Sequence, residues 1–146
     1  MSYLWILDRA VIIVALSGAF IRTGNLMNSE IYGHPTNLPW AFIFIRSGEI
    51  IPRHPTQIYE ALCYLIIFIY LLLYYYKKNG KPKEGIIFGI FLISLFTMRF
   101  IIEYFKEVQV DFENNLPLDL GQILSIPFII TGIVILVFVN RKKQVN

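Results

Sequence analysis

The sequence predicts an all-α fold, a polytopic membrane protein of about four transmembrane helices, from three observations. Of its 146 residues 56% are hydrophobic and only 16% charged, well to the apolar side of soluble domains. The apolar residues come in long blocks instead of at amphipathic spacing, so in water the core they could form would have no polar shell. The basic residues stand in short clusters beside those blocks, as loops at an anionic lipid surface would.

A helix of about 20 mostly apolar residues crosses the hydrocarbon core. The first block, 4–21, is weakened by Asp8 and Arg9. Its start, "MSYLWILDRAVIIV", lacks a basic region ahead of the apolar run and makes a poor signal peptide. The second, 57–76, "QIYEALCYLIIFIYLLLYYY", follows Pro55, suited to a first helical turn, and Thr56, suited to a cap. The tight basic turn "KKNGKPK" leads to the third, 85–102, "GIIFGIFLISLFTMRFII". The fourth is 119–139, "DLGQILSIPFIITGIVILVFV". Within the first connection, "HPTNLPWAFIFIRSGEIIPR" at 34–53 is too short of turn-free apolar length to span, and suits a re-entrant or interfacial arm with Trp40 at headgroup depth.

Orientation follows from the lysines and arginines of short loops. Lys77, Lys78, Lys81 and Lys83 lie between the second and third blocks, and Arg141, Lys142 and Lys143 follow the fourth. Two crossings separate these segments, so both are expected on the cytoplasmic side. The 22–56 connection mixes charges of both signs, and the segment after the third block carries Glu107, Asp111 and Glu113 against Lys106. Both are expected outside.

Polar groups at membrane depth are costly, about 2.5–3.5 kcal/mol for an arginine at a helix centre, so they normally face a cavity or a partner. Four groups need an account: Arg22, Asn25, Asn28 and Glu30 in "FIRTGNLMNSEIYG"; His54, Gln57, Tyr59 and Glu60 in "RHPTQIYE"; Arg99 and Glu103, one helical turn apart; and Asp119 and Gln122 in "LDLGQILSIP". All four converge on the outer side by the charge argument. An arginine fork can grip phosphate through two bonds, and the amides of Asn25 and Asn28 can hold glycerol hydroxyls or ester carbonyls, so a phospholipid headgroup is the natural ligand. Plainer roles are also open. Arg99 and Glu103 could neutralise each other between helices, Arg22 could snorkel at a helix end, His54 could bond within its own turn, and Gly24 and Gly33 could be packing glycines.

Several chemistries are excluded. His34, His54 and the single Cys63 give no ligand spacing for a metal, and one cysteine forms no intramolecular disulfide. Ser29 and Ser125 stand in no nucleophile-elbow context. No aromatic and basic constellation suits nucleic acid.

"RTGNLMNSEIYG", Arg22 to Gly33, closely resembles the signature of the prolipoprotein diacylglyceryl transferases. "RHPTQIYEAL" at 53–62, "RFIIEYFKE" at 99–107 and "LGQILSIP" at 120–127 resemble that family's later motifs in its order, and "YLWILDR" at 3–9 resembles the segment before the signature. The resemblance covers practically the whole chain. It implies a multi-pass protein of the bacterial inner membrane that transfers the diacylglyceryl group of phosphatidylglycerol to the lipobox cysteine thiol of a preprolipoprotein, with no metal or soluble cofactor. Arg22 and Arg99 match the family's two important arginines, and Asn25, Glu30, Gly33 and Glu103 match other positions tied to activity or lipid binding. The expected catalytic residues are therefore Arg22, Arg99 and Glu103. The expected substrate-binding residues are Arg22, Asn25, Asn28, Glu30, Gly33, His54, Gln57, Tyr59 and Gln122. Family members are about twice as long; the chain resembles their C-terminal half, and the N-terminal half with its His-Gly-Gly-type motif is expected to be absent. Leu95 stands where the family often has a tyrosine. The competing class is non-enzymatic: a lipid-binding remnant, or a transporter subunit with the Arg–Glu pair as its polar pathway. A transporter would carry ionisable groups deep in several blocks, and the middles of the second and fourth carry none.

Overall fold

The computed structural model describes residues 2–107 and 117–141. Four helices, each long and apolar enough to cross a membrane, make up the fold: α1 (Tyr3–Met27), α2 (Thr56–Lys77), α3 (Ile86–Glu103) and α4 (Leu120–Arg141). A 3-10 turn at Ile45–Ser47 is the one other helical piece, and no strand forms among the described residues. The expected Asp111, Glu113, Lys142 and Lys143 lie outside the described residues.

Three helices match the expected blocks within two residues at either end, whereas α1 runs six residues past the predicted 21. Arg22, Thr23, Gly24 and Asn25 thus belong to the helix and not to the connection. Helical bonding continues because Thr23 Oγ1 turns back to the Ala19 carbonyl (2.9 Å), and the helix ends only at Asn28, whose N–H bonds to the Gly24 carbonyl. Arg46 Nη1 then caps the Met27 carbonyl at 2.8 Å.

Asp8 and Arg9, which weaken the first block on paper, tie α1 to the α2–α3 turn. The buried Asp8 carboxylate accepts N–H bonds from Gly85 (2.7 Å) and Phe88 (2.8 Å), so it caps the N-terminus of α3, where a helix has unpaired donors. Arg9 donates to the Trp5 and Gly80 carbonyls and lies 3.7 Å over the Trp5 ring.

Lipid tails are as apolar as leucine, so close packing rather than water exclusion joins the helices. At the α3–α4 seam Gly89 and Gly132 face each other: a Cβ at Gly89 would stand 2.7 Å from Leu136, and one at Gly132 2.8 Å from Ile93. Val11, Ala15, Tyr64, Leu71, Ile87 and Leu95 share one buried cluster across α1, α2 and α3. Leu95 is therefore a packing residue here.

The connection from Ser29 to Pro55 folds back on itself at the end of the bundle where α1 finishes and α2 begins. Phe42 and Arg53 exchange backbone hydrogen bonds (3.0 and 2.8 Å), Thr36 N–H bonds to the Pro52 carbonyl, and Tyr32 stacks on the buried Phe44 at 4.8 Å. Isolated bridges join Gly33 to Lys106, and Pro35 and Phe42 to Arg53.

Candidate functional site

At that end the last turn of α1, the first of α2, the end of α3 and the start of α4 come together, and with them most of the polar groups singled out in the sequence. Arg22 is the centre. Its Nε lies 2.9 Å from Glu60 Oε2, and its Nη1 donates to Asn25 Oδ1 at 3.3 Å; Asn25 Nδ2 in turn donates to Glu30 Oε2 at 3.2 Å. Asn28 is exposed at the helix cap.

The stretch after α1 is strained and firmly held. Ser29 (φ 57°) and Ile31 (φ 58°) take the left-handed conformation, which is rare for a β-branched residue and costs on the order of 1–3 kcal/mol. Three successive carbonyls receive side-chain donors: Ser29 from Ser47 Oγ (2.7 Å), Glu30 from Gln57 Nε2 (2.6 Å) and Ile31 from Thr56 Oγ1 (3.1 Å). Gln57 is fully buried, so its amide nitrogen fixes the chain that carries Glu30.

Gly33 is where two segments cross. Its N–H bonds to the His54 carbonyl (2.9 Å), and a Cβ there would fall 2.3 Å from the Phe105 carbonyl oxygen. Nearby, Trp40 Nε1 donates to the Tyr59 hydroxyl at 2.9 Å, and that hydroxyl lies 3.1 Å from His54 Nδ1. An indole only donates, so the hydroxyl accepts from Trp40, and its contact with Nδ1 fits either tautomer of a neutral imidazole. Burial and the neighbouring His34 push the His54 pKa below its ordinary value, in agreement with the neutral form.

The mutual neutralisation of Arg99 and Glu103, one of the roles left open by the sequence, does not form: among the described residues these two make no ion pair. Glu103 instead lies 3.4 Å from Lys106 Nζ and so close to Gly121 that a Cβ there would stand 2.5 Å from its carboxyl carbon. α3 ends at Glu103, and the following turn (Phe105 N–H to Ile102, Lys106 N–H to Glu103) brings Lys106 back beneath the carboxylate. Gln122, also buried, donates to the Phe100 carbonyl (3.2 Å) and accepts from Asp119 N–H (3.3 Å), which pins the start of α4 to the end of α3.

Three charged residues of this region were not among the expected site residues, although Glu60 stands in one of the four polar groups singled out in the sequence. Glu60 and Lys106 are nearly inaccessible, at 1% and 4% exposure, and pair at 2.8 Å. Arg53 pairs with Glu49 and Glu107, both at 2.8 Å, and so fastens the connection to the end of α3. The hydrogen bond from Arg53 holds Glu49 below the usual carboxylate range. One signal was available: Glu60 is the lone carboxylate of an otherwise apolar helix, and such a residue has a partner by default.

Residues 1–138 match the family profile described as prolipoprotein diacylglyceryl transferase. A phosphatidylglycerol–prolipoprotein diacylglyceryl transferase of Bacteroides fragilis is 45% identical over 146 residues, 100% of this chain and 52% of the relative. Proteins of the same name from Chloroherpeton thalassium (46% over 142 residues, 97% and 52% covered) and Porphyromonas gingivalis (48% over 145 residues, 90% and 51% covered) are similarly close. The chain thus spans about half the length of these curated relatives. No solved structure matches.

Proposed function

We propose, from the premise that this chain belongs to the prolipoprotein diacylglyceryl transferase family, that it supplies the phosphate-binding part of an enzyme moving the diacylglyceryl group of phosphatidylglycerol to a lipobox cysteine thiol. The thiolate sulfur forms a bond to the terminal glyceryl carbon of the diacylglycerol moiety. The bond from that carbon to the phosphate oxygen breaks, glycerol phosphate leaves, and the thiol proton is released. Negative charge grows on the leaving phosphate, so catalysis needs fixed cationic donors aimed at it.

Arg22 is that donor in this reading. The supporting observation is the pairing of its Nε with the buried Glu60, which, with one Nη1 hydrogen given to Asn25, leaves Nη2 and the second Nη1 hydrogen for two phosphate oxygens. Asn25, steadied by Glu30, and the exposed Asn28 take the glyceryl region, Arg99 adds a second cation, and Glu103 keeps Lys106 and the start of α4 in register. His54 and Tyr59 line the approach beside Phe105, while Gln57, Gln122 and Gly33 shape the site through the main chain. We assign the site to the outer side of the bacterial inner membrane, because the exposed Lys77, Lys78, Lys81 and Lys83 and Arg141 gather at the opposite end of the bundle.

The test uses this chain joined to the remaining half of the Bacteroides fragilis relative, in phosphatidylglycerol nanodiscs with a lipobox peptide. The expected product is a peptide heavier by one diacylglyceryl group, with glycerol phosphate released in equal amount. Release of glycerol phosphate without modified peptide, or neither product, overturns the proposal.

A further inference from the structure

Four side chains of alternating charge run from α1 to the end of α3: Arg22, Glu60, Lys106 and Glu103. The bridging carboxylate uses one oxygen for each cation, Oε2 at 2.9 Å from Arg22 Nε and Oε1 at 2.8 Å from Lys106 Nζ. It cannot rotate without losing one of them. Both Glu60 and Lys106 are almost wholly inaccessible, so either one left alone would be a buried unpaired charge, which is strongly destabilising. Beyond Lys106 stands Glu103 at 3.4 Å, lodged against Gly121 of α4.

We propose that Glu60 and Lys106 are positioning residues for Arg22: the Glu60 carboxylate, an ion-pair neighbour of Nε, draws that side of the guanidinium inward, and Lys106 offsets enough of the carboxylate's charge to leave a net positive field at Arg22 toward an incoming phosphate. A carboxylate facing Arg22 alone would order the fork but also cancel its field. Lys106 removes that conflict. The four groups sum to zero, so they lie buried together without excess charge, while the outward Nη atoms still meet an anion with a net local attraction. Asn25, the other partner of Arg22, sets the remaining rotation through Nη1. The same carboxylate joins three separate segments, so a shift at the end of α3 would be felt at Arg22 on α1.

The identity of the anion as a phosphatidylglycerol headgroup rests on the transferase reading; the ordering of Arg22 does not. The paired change Glu60→Leu with Lys106→Met keeps net charge and approximate volume, and replacement of a buried pair by apolar residues is usually neutral or stabilising. In the full chain in phosphatidylcholine nanodiscs, the Arg22 Nε–H proton, assigned with Arg22→Lys, is expected to exchange slowly with water in the wild type and at least about tenfold faster in the double variant. The dissociation constant for short-chain phosphatidylglycerol is expected to rise by a similar factor at an unchanged melting temperature. Equal exchange in the two proteins, or equal affinity, overturns the proposal. If the wild type orders Arg22 but takes up no phosphatidylglycerol, the transferase reading fails and the ordering role stands. Should the double variant not fold, the single changes decide: Lys106→Arg is expected to keep the wild-type affinity and Lys106→Met to lose it with the slow Nε–H retained, and identical affinities refute the role of Lys106.

Discussion

The two glycines of the "RTGNLMNSEIYG" stretch make opposite predictions. At Gly33 a methyl group would stand 2.3 Å from the Phe105 carbonyl oxygen, 2.7 Å from His54 Cβ and 2.8 Å from Thr56 Cγ2. The nearest atom is backbone and cannot step aside by a rotamer change; a relief of about 1 Å is needed to reach an ordinary C···O distance. Such a shift pulls on the Gly33 N–H bond to His54 and on the His34 N–H bond to Phe105, each 2.9 Å long. Overpacking at roughly 1–3 kcal/mol, with two backbone bonds at roughly 0.5–1.5 kcal/mol each, puts Gly33→Ala at about 3 kcal/mol of destabilisation or more. At Gly24, inside α1, nothing lies within 4 Å of the added methyl, and alanine in a helix is favoured by roughly 0.5–1 kcal/mol. Gly24→Ala is therefore expected to be neutral or stabilising. Equilibrium unfolding of the two variants in mixed micelles, followed by circular dichroism, gives the comparison. Shifts of equal size and sign, or a Gly33→Ala cost below about 0.5 kcal/mol, would refute the reasoning.

Three further outcomes are expected. In a Cys63→Ser background, cysteines at Asn37 and Asn79 should differ in labelling by an impermeant thiol reagent on spheroplasts, with Asn37 modified and Asn79 protected; equal labelling removes the orientation. Asp8→Asn supplies one acceptor where Gly85 and Phe88 need two, and is expected to cost about 1–3 kcal/mol in the same unfolding assay, with no loss counting against the cap. His54 is held below its ordinary value of 6.5 by burial first and by His34 second, so its contribution is fully present above pH 6.5 and lost as pH falls through the depressed folded value. Melting temperatures between pH 7.5 and 5 should fall accordingly, and less steeply for His54→Gln; identical slopes would dismiss His54 as the titrating group.

The helices were legible because membrane-spanning blocks announce themselves by length and apolarity, and their ends were accurate wherever a turn or a proline stood beside them. The end of α1 was misjudged for a physical reason: Arg22, Thr23 and Asn25 are polar, but a helix end at the lipid boundary tolerates polar residues that find partners, and Thr23 and Arg22 do. Convergence of the four polar groups at one end was also readable, since an even number of crossings fixes sides. Partner choice was not. Arg99 and Glu103 have the right spacing for a pair, yet Glu103 meets Lys106 because the helix stops and the chain turns, and helical spacing carries no information beyond the helix end. The role of Glu60 likewise depends on Lys106, 46 positions away by number, and on α1 and α2 being neighbours. Asp8 and Arg9 were read as a weakness of the first block, although a buried carboxylate aimed at another helix's N-terminus is a tertiary cap.

Arg22 carries the central claim, and the rate of diacylglyceryl transfer by its lysine variant tests it most directly. Lysine keeps the charge and loses the planar fork, so it can satisfy Glu60 or a phosphate but not both in fixed geometry. In the chain joined to the remaining half of the Bacteroides fragilis relative, Arg22→Lys is expected to lower kcat/KM for phosphatidylglycerol at least about tenfold, the loss of one charge-assisted bond in the transition state, with membrane insertion unchanged. Near-wild-type turnover by the lysine variant would reduce Arg22 to an anchor at the lipid surface and contradict the account.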